Sequence, residues 1–491
     1  MRNSTVDRPN VLLICCDHLR ADWLGCNGHP VVMTPQIDVI AREGVNFQRA
    51  FSEAPVCIPA RRILMTGMGN HALNMLSYKE GQPFIEGPKL AEVMTRAGYQ
   101  TFAAGKLHVY PQRARIGFED VQLNEEGRKL DGLIKDDYEA FLDEHGYGHL
   151  AWTHGVGQNQ YGLRMSPLPE RFTTTHWTAQ KAMEFIERRD PTRPFFLYVS
   201  FDKPHQPITP PLEYYELYRS AVMPEPVCGD WVNTKRPSRF DNLAVRNNYD
   251  LWQNHPFMTQ QILRGFAALI THIDSMIGVL LGTLREHGLL HNTLIIFTSD
   301  HGDNLFDHGD FYKSDYFRGS ANIPFLVRPP KAWGEGHGAV RDRIDTAAPV
   351  ALMDIMPTIL DICGIDVPPT VEGRSVAPLL TRRRGEFRRF TCGYLAHNFA
   401  ITDGRFKYMW FAQDQLELLF DLDADPNECC DLADDPAYLE QKELMKEHLT
   451  AWMVKNNNPY AQQGIVIGKE KLKPTSTSPF PRTGYNNRGR H

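Results

Sequence analysis

The peptide Cys57-Ile58-Pro59-Ala60-Arg61 combines residue types that could do chemistry. With ordinary composition, a cysteine, a proline and an arginine at these three positions arise by chance in a chain this long only on the order of a few per cent of the time. A lone cysteine in front of a helix that starts with proline is more often a buried thiol. The interpretation of Cys57 therefore depends on the rest of the chain.

Four short apolar runs each end in polar residues suited to chemistry. These runs are Val11–Cys16, Tyr99–Ala104, Phe195–Phe201 and Leu294–Thr298, and they lead into Asp17-His18, Gly105-Lys106-Leu107-His108, Asp202-Lys203-Pro204-His205 and Ser299-Asp300-His301-Gly302. Runs of this length read as buried strands of a mostly parallel sheet. Ligands of such sheets bind beyond the carboxyl ends of the strands, so one active site could gather all four groups.

Asp17, Asp300 and His301 are oxygen and nitrogen donors at predicted strand ends. Carboxylates and imidazoles bind divalent cations, so these three residues predict a metal site.

The elements that must position these residues alternate between strands and helices. One helix begins at Thr34-Pro35 and ends at Gly44, and a longer one runs from Met258 to His287. The predicted fold class is therefore α/β, with a large, mostly parallel sheet sandwiched by helices.

After residue 384 the pattern changes. Phe399–Trp410 reads as a hairpin around Asp403-Gly404, Leu418–Leu422 as a further strand, and Pro436–Val454 as a closing helix. We expect a catalytic domain at 1–384, a small antiparallel sheet with a helix at 385–455, and an extended tail at 456–491. The tail could lie over another subunit and so support a homo-oligomer.

Composition narrows the class of protein. The 491 residues are 42% hydrophobic and 23% charged, with a formal net charge of −6, which argues against nonspecific binding to nucleic acid or anionic membranes. No apolar run approaches the roughly 18 residues of a membrane helix, and no signal-peptide pattern follows Met1. Nine cysteines, with the adjacent pairs Cys15-Cys16 and Cys429-Cys430, do not look like a disulfide framework. We expect a cytoplasmic protein.

Seven motifs together resemble the formylglycine-dependent sulfatases of the alkaline phosphatase superfamily, close to choline sulfatases and phosphonate monoester hydrolases. They follow that family's order across nearly the whole chain: Asn10–Ile14 with Asp17, Cys57–Gly67, Gly105–His108, Lys203–His205, Ser299–Gly302, Asp354–Thr358 and Leu419–Pro426. Each motif alone is a weak signal. Seven in sequence are a strong one.

The resemblance implies two cofactors. Cys57 would be oxidised to formylglycine by a formylglycine-generating enzyme, and Asp17, His18, Asp300 and His301 would hold one divalent metal ion (Ca²⁺, Mg²⁺ or Mn²⁺). The chain departs from the family at His18, where many sulfatases have Asp and the choline sulfatases and phosphonate hydrolases have Gln. An imidazole there favours Mn²⁺ or Zn²⁺ over Ca²⁺, and we favour Mn²⁺. Alternatively, His18 points away and only donates a hydrogen bond.

The resemblance also implies roles for the other site residues. The hydrated aldehyde at position 57 would attack sulfur or phosphorus, and its second hydroxyl would then expel the anion with His108 as base. Arg61, one helical turn from Cys57, would brace the diol. Lys106 and Lys313 would bind the anionic oxygens, and His205 would donate a proton to the leaving alcohol.

The resemblance implies a sulfuric ester hydrolase acting on a small-molecule sulfate ester. The nearest alternative is a phosphonate monoester or phosphodiester hydrolase with the same nucleophile. Cys57 disfavours a phosphatase or phosphomutase with a Ser or Thr nucleophile, and the intact motifs disfavour a catalytically silent binding protein. Substrate choice should lie in 131–171 and 210–257. Tryptophans in and beside these segments could stack on substrate but more often serve packing: Trp152, Trp177, Trp231 and Trp252.

Overall fold

The computed structural model describes residues 8–84, 87–128, 135–152, 154–157, 159–238, 240, 255–382 and 387–462. Its centre is an eight-stranded sheet with the order β5-β4-β6-β1-β7-β8-β2-β9. The strands are β1 Asn10–Asp17, β2 Val45–Phe47, β4 Gln100–Gly105, β5 Asp120–Leu123, β6 Phe195–Pro204, β7 Thr293–Ser299, β8 Phe325–Arg328 and β9 Arg343–Asp345. A separate pair joins β3 Ala50–Phe51 to β10 Val350–Ala351.

The central sheet is mostly parallel, as the sequence predicts. Strand β1 pairs in parallel with β6 on one side and with β7 on the other. Strand β8 is the exception, because it runs antiparallel to both β7 and β2. Along β1, Val11 and Leu13 belong to one hydrophobic core and Leu12 and Ile14 to the other. Alternate side chains thus point to opposite faces of a sheet that is buried on both sides.

Helices cover both faces of the sheet. In chain order the α-helices before the C-terminal sheet are α1 Pro35–Arg42, α2 Cys57–Thr66, α3 Leu90–Arg96, α4 Asp137–Glu144, α5 Thr174–Arg188, α6 Leu212–Glu216, α7 Pro256–Glu286, α8 Arg318–Ala321, α9 Lys331–His337 and α10 Ile355–Ile362. The predicted helices after Thr34 and from Met258 are confirmed as α1 and α7.

The 31-residue helix α7 is long and apolar enough to cross a membrane by length and composition alone, a possibility that the sequence patterns did not raise. However, 78% of its most apolar window is buried inside the protein, where it packs against α5, α1 and β6. Core helices of sheet proteins pass the same test.

The C-terminal part is the predicted antiparallel sheet with a helix. The C-terminal sheet has the strand order β11-β12-β13-β14, with the strands β11 Thr391–Leu395, β12 Asn398–Thr402, β13 Phe406–Phe411 and β14 Leu416–Asp421. The last helices of the described residues are α11 Leu439–Lys455 and α12 Pro459–Gln462. Met445 and Leu449 of α11 share a core with Trp410 of β13. The expected domain boundary at 384/385 and the tail beyond 462 lie outside the described residues.

Candidate active site

The ends of the central strands meet beside β1. Asp17 is the last residue of β1, and Asp300 follows β7, whose Ser299 lies opposite Cys16. Strand β4 ends at Gly105, which has a φ of +100°, and a Cβ there would lie 2.0 Å from the carbonyl oxygen of Ser200 in β6. Glycine lets the chain pass close to β6 and turn Lys106 towards Asp17.

Cys57 is the first residue of α2. Its preceding residue, Val56, is extended, so the backbone turns sharply into the helix at the cysteine. The Cys57 Sγ lies 3.2 Å from Nε2 of His301 and 3.7 Å from Oδ1 of Asp17. A buried thiol at a helix N-terminus thus faces residues from the ends of β1 and β7.

Arg61 links the carboxylates around this thiol. Its guanidinium lies 3.1 Å from Oδ2 of Asp17 and 2.9 Å from Oδ2 of Asp300, and it donates to the carbonyl oxygen of Lys106 (2.8 Å) and to Oγ of Ser200 (2.7 Å). The side chain is buried. Arg61 is therefore part of the site's framework and not a surface ion pair.

Lys106 is fully buried between two carboxylates. Its Nζ lies 2.5 Å from Oδ2 of Asp17 and 2.8 Å from Oε1 of Glu126. Glu126 also forms an ion pair with Arg128 at 2.7 Å. Lys106 and Arg128 hold the pKa of Glu126 well below its usual range despite its burial. A series of three ion pairs therefore links Asp17 to Lys106, Lys106 to Glu126, and Glu126 to Arg128.

Sequence patterns missed Glu126 and Arg128, which follow the short strand β5. The signal was weak, since β5 has four residues and alternates exposed and buried positions. Glu126 has a φ of +56°, a left-handed conformation that costs free energy in residues other than glycine. Such backbone strain is concentrated at functional sites.

His108 contacts Arg128, the last residue in this series of ion pairs. Nη1 of Arg128 lies 2.7 Å from Nδ1 of His108, and the backbone N–H of His108 donates to Glu125 at 2.9 Å. Burial, and next the Arg128 charge, lower the pKa of His108 well below its ordinary value. The imidazole is therefore neutral and able to accept a proton.

His205 and Lys313 form a pair. The Lys313 ammonium donates to Nε2 of His205 at 2.8 Å, and Nδ1 of His205 donates to the carbonyl oxygen of Gln206 at 2.8 Å. Lysine cannot accept a hydrogen bond and a carbonyl cannot donate one, so the proton of the neutral imidazole lies on Nδ1.

Four ligand atoms converge within 4.8 Å of one another, from Asp17, Cys57, Asp300 and His301. Oδ1 of Asp17 and Oδ1 of Asp300 each lie 3.7 Å from Nε2 of His301. Nδ1 of His301 donates to the carbonyl oxygen of Gly302 at 3.0 Å, so Nε2 can present its lone pair to the same point. Two carboxylates and an imidazole fit a divalent cation.

His18 lies in a second group of potential ligands, with Asp17 and His205. This group does not form a second cation site, because both ring nitrogens of His205 are engaged. The two ring nitrogens of His18 are buried and make no hydrogen bond within the described residues, although Nε2 lies 3.3 Å from Oδ2 of Asp303. His18 can therefore still donate a lone pair towards the Asp17 side of the cation site.

Charge is unbalanced around position 57. Burial raises the pKa of the Cys57 thiol, but Lys313, Lys106 and His301 outweigh it, and the net pKa lies well below its ordinary value. Burial, and next the Asp17 charge, raise the pKa of Asp300. The site stabilises negative charge at position 57, whereas its two carboxylates repel each other in the absence of a cation.

The described tryptophans in and beside residues 131–171 and 210–257 serve packing. Trp177 and Trp231 are buried, Trp152 donates to Glu139 at 2.9 Å, and Trp231 stacks on Phe317. Trp252 lies outside the described residues. His71 pairs with Glu372 at 3.1 Å and contacts the ring of Trp452.

Comparisons with known proteins agree with this geometry. The sequence model of the family described as "Sulfatase" matches residues 9–365, and that of "N-sulphoglucosamine sulphohydrolase, C-terminal" matches residues 306–455. The chain belongs to the sulfatase family. It is a sulfatase-type hydrolase of the alkaline phosphatase superfamily, and the resemblance that the seven motifs predicted is confirmed. Members of this family generally use a divalent metal ion and formylglycine.

Individual relatives match most of this sulfatase chain. An arylsulfatase of Clostridium perfringens is 34% identical over 96% of this chain and 99% of its own, and a choline-sulfatase of Rhizobium meliloti is 27% identical over 88% and 84%. Among solved structures, a phosphonate monoester hydrolase of Agrobacterium radiobacter superposes with a TM-score of 0.76 at 24% identity, over 91% of this chain and 96% of its own. That last similarity concerns the fold.

Proposed function

We propose that this protein hydrolyses sulfate monoesters of small molecules, with formylglycine made from Cys57 as its nucleophile. The observation that supports the nucleophile most directly is the placement of Cys57. Its thiol lies at the start of α2, 3.2 Å from His301, in surroundings that stabilise negative charge. An oxygen nucleophile at this position needs the same surroundings.

We assign the metal to Asp17, Asp300 and His301, with His18 as the fourth ligand, and favour Mn²⁺. The convergence of Oδ1 of Asp17, Oδ1 of Asp300 and Nε2 of His301 supports the first three. The unbonded, buried ring nitrogens of His18 support the fourth. A bound divalent cation would act as a Lewis acid that favours deprotonation of the nucleophile and withdraws charge from the ester.

As an aldehyde hydrate, residue 57 would supply one oxygen for attack and a second hydroxyl for release of the anion. His108 is placed to accept the proton of that hydroxyl, because burial and Arg128 keep its imidazole neutral. Arg61 holds Asp17 and Asp300 in register for the cation through two ion pairs. Arg61 therefore supports the nucleophile indirectly, through the two carboxylates that we assign as metal ligands.

Lys313 and His205 act together on the leaving alcohol. Nε2 of His205 carries no proton of its own and accepts from Lys313, so the ammonium group can pass a proton to Nε2, which gives it to the leaving oxygen and leaves Lys313 neutral. Lys106 is fully buried and already engaged by Asp17 and Glu126. It contributes to the anion site mainly through its charge, while Lys313 can contact the ester.

The alternative function is phosphonate monoester or phosphodiester hydrolysis with the same residues. The curated relatives favour the sulfate ester, since the arylsulfatase matches at 34% identity. The deciding experiment compares kcat/KM for an aryl sulfate with that for matched aryl phosphodiester and phosphonate monoester substrates. A higher value for the sulfate is expected. A clear preference for either phosphorus ester would reject the sulfatase activity and leave the residue roles intact.

We also propose a cytoplasmic protein that depends on a formylglycine-generating enzyme and forms a homo-oligomer through its C-terminal tail. Nine free cysteines support a reducing compartment. Light scattering of the full-length protein and of a variant ending at residue 462 tests the oligomer. If both proteins have the same number of protomers per particle, a role for the tail is rejected.

A further inference from the structure

A cavity of about 160 Å³ lies where the C-terminal sheet meets the α/β domain, apart from the candidate active site. None of the ten proposed catalytic and metal-binding residues lines it. Its walls include three basic residues, two acidic residues and three amides, among them Arg49, Arg318, Lys407, Asp22, Glu428 and Gln48. We name it the junction cavity.

The three cations of the junction cavity differ in how closely carboxylates compensate their charges. Arg49 follows β2, Arg318 begins α8 and Lys407 lies in β13. Burial, and further the Arg318 charge, lower the pKa of both Arg49 and Lys407, although Asp423 and Glu428 lie nearby. Arg49 pairs with Asp423 at 2.5 Å and Lys407 pairs with Glu428, whereas Arg318 lies 3.8 Å from Asp22. The charge of Arg318 is therefore the least closely compensated of the three, which favours an anion beside it.

The acidic residues of the wall are already engaged. Asp22 accepts from Arg20 through both carboxylate oxygens, at 2.6 Å and 2.8 Å. Glu428 forms an ion pair with Lys407 and accepts from the backbone N–H of Arg318 at 2.8 Å. Neither carboxylate would need to release its partner when an anion binds.

Arg318 has donors to spare. Its Nη1 donates to Asn427 at 2.7 Å and to the carbonyl oxygen of Pro426 at 3.3 Å, and its nearest carboxylate is Asp22 at 3.8 Å. In the described part of the chain, neither Nη2 of Arg318 nor the side-chain amide of Gln48 has a hydrogen-bond partner. Both groups line the junction cavity and can donate to an acceptor within it.

We infer that the junction cavity binds a compact oxyanion, such as inorganic sulfate or phosphate, between Arg49, Arg318 and Gln48. A space of about 160 Å³ suits an ion of this size and excludes a drug-sized ligand, which needs ~300 Å³ or more. Guanidinium groups bind tetrahedral oxyanions through paired hydrogen bonds. The inference is independent of the reaction proposed above.

The site is structurally connected to the candidate active site. Phe51 lines the junction cavity, and the next residue, Ser52, donates through Oγ to the carbonyl oxygen of Asp300 at 2.7 Å. Arg20, which engages Asp22, also donates to the carbonyl oxygens of Asp303 and Asn304. An anion in the cavity would tie the C-terminal sheet to the segment that carries Asp300.

Thermal unfolding of the full-length protein tests the inference, with sulfate or phosphate added against chloride at equal ionic strength. An anion that binds the folded state raises Tm with its concentration. We expect Arg318→Gln to weaken the sulfate response by about tenfold to a hundredfold in concentration, because a charge-assisted hydrogen-bond donor is lost. Sulfate bound at the active site raises Tm equally in both proteins, so the difference between them reports the junction cavity.

Arg405→Gln is the matched control, because Arg405 directly precedes β13 of the C-terminal sheet, is 58% exposed and does not line the cavity. This variant should respond to sulfate as the unsubstituted protein does. Equal responses of Arg318→Gln and the unsubstituted protein would overturn the inference, as would an equal loss in Arg405→Gln. If Arg318→Gln does not fold, Gln48→Leu replaces it, since it retains every ion pair, and an unchanged sulfate response would again overturn the inference.

Discussion

Nε2 of His205 accepts a hydrogen bond from the ammonium group of Lys313 at 2.8 Å, while Nδ1 of the same ring donates to a backbone carbonyl. These two contacts define the tautomer of His205 and couple it to a source of protons. Sequence motifs assigned the two residues separate roles, one in proton donation and one in anion binding. The structure makes them one unit.

We predict that His205→Gln and Lys313→Met slow the hydrolysis of an alkyl sulfate more than that of 4-nitrophenyl sulfate. A poor leaving group needs a proton in the transition state, and general acids contribute roughly 10²- to 10⁴-fold. The measurement is kcat/KM for both substrates, with His71→Gln as the histidine control. Equal slowing of both substrates would assign the pair to anion binding alone. The double variant should lose less than the product of the two single losses.

Mature protein should carry formylglycine at position 57. Peptide mass spectrometry of protein co-expressed with a formylglycine-generating enzyme should show an aldehyde in place of the thiol, and activity should scale with the converted fraction. Cys57→Ala should abolish turnover and keep the fold, because the side chain becomes smaller without leaving a buried charge. Full activity of a preparation that retains the thiol would contradict this nucleophile.

Chelation should remove activity, and Mn²⁺ should restore it better than Ca²⁺. Asp300→Ala should lose the metal, and His18→Ala should weaken metal affinity at least about tenfold, because even residues that only orient metal ligands contribute about 10- to 100-fold. Metal content after dialysis, measured by mass spectrometry of the element, is the readout. An unchanged content in His18→Ala would make His18 a hydrogen-bonding neighbour only.

Arg128→Gln should shift the acidic limb of the pH–rate profile. Arg128 is the second cause, after burial, of the lowered pKa of His108, so its removal raises that pKa towards the ordinary value. His108 would then gain a proton at a higher pH, and activity would fall earlier as the pH decreases. Arg113→Gln, an exposed arginine paired with Asp137, is the control. An unchanged acidic limb would show that His108 is not the base.

Glu53→Gln should make stability less dependent on pH. Burial raises the pKa of Glu53 from 4.5 to about 8, so the folded state favours the neutral acid. Stability contributed by this group is present below pH 4.5 and is lost as the pH rises through 8, by about 1.4 kcal/mol per unit of pKa shift. Between pH 5 and 9 the free energy of unfolding should fall more in the unsubstituted protein than in Glu53→Gln. Glu335→Gln, an exposed position, should follow the unsubstituted protein.

The apolar runs predicted the four strands that end at Asp17 or directly before Lys106, His205 and Asp300, because each run is buried on both faces and leaves little ambiguity. The same logic brought these residues together at one edge of the sheet. The antiparallel direction of strand β8 was harder to predict, because a run of four residues contains no pattern that distinguishes a parallel strand from an antiparallel one.

Glu126 and Arg128 could not be predicted in the same way. Their role comes from ion pairs with Lys106 and from contact with His108, which are distant in sequence and are established only by the path of the chain after β5. The sequence Glu125-Glu126-Gly127-Arg128 looks like a solvated turn. A left-handed backbone at Glu126 is visible only in three dimensions.

The burial of α2 limits when a modifying enzyme could reach Cys57. Every side chain from Cys57 to Thr66 is buried, and Cys57 itself is 2% exposed. An enzyme that must grasp this peptide to oxidise the cysteine cannot reach it in the finished fold. If Cys57 is converted as proposed, conversion would have to precede folding, and a molecule that folded first would keep its thiol.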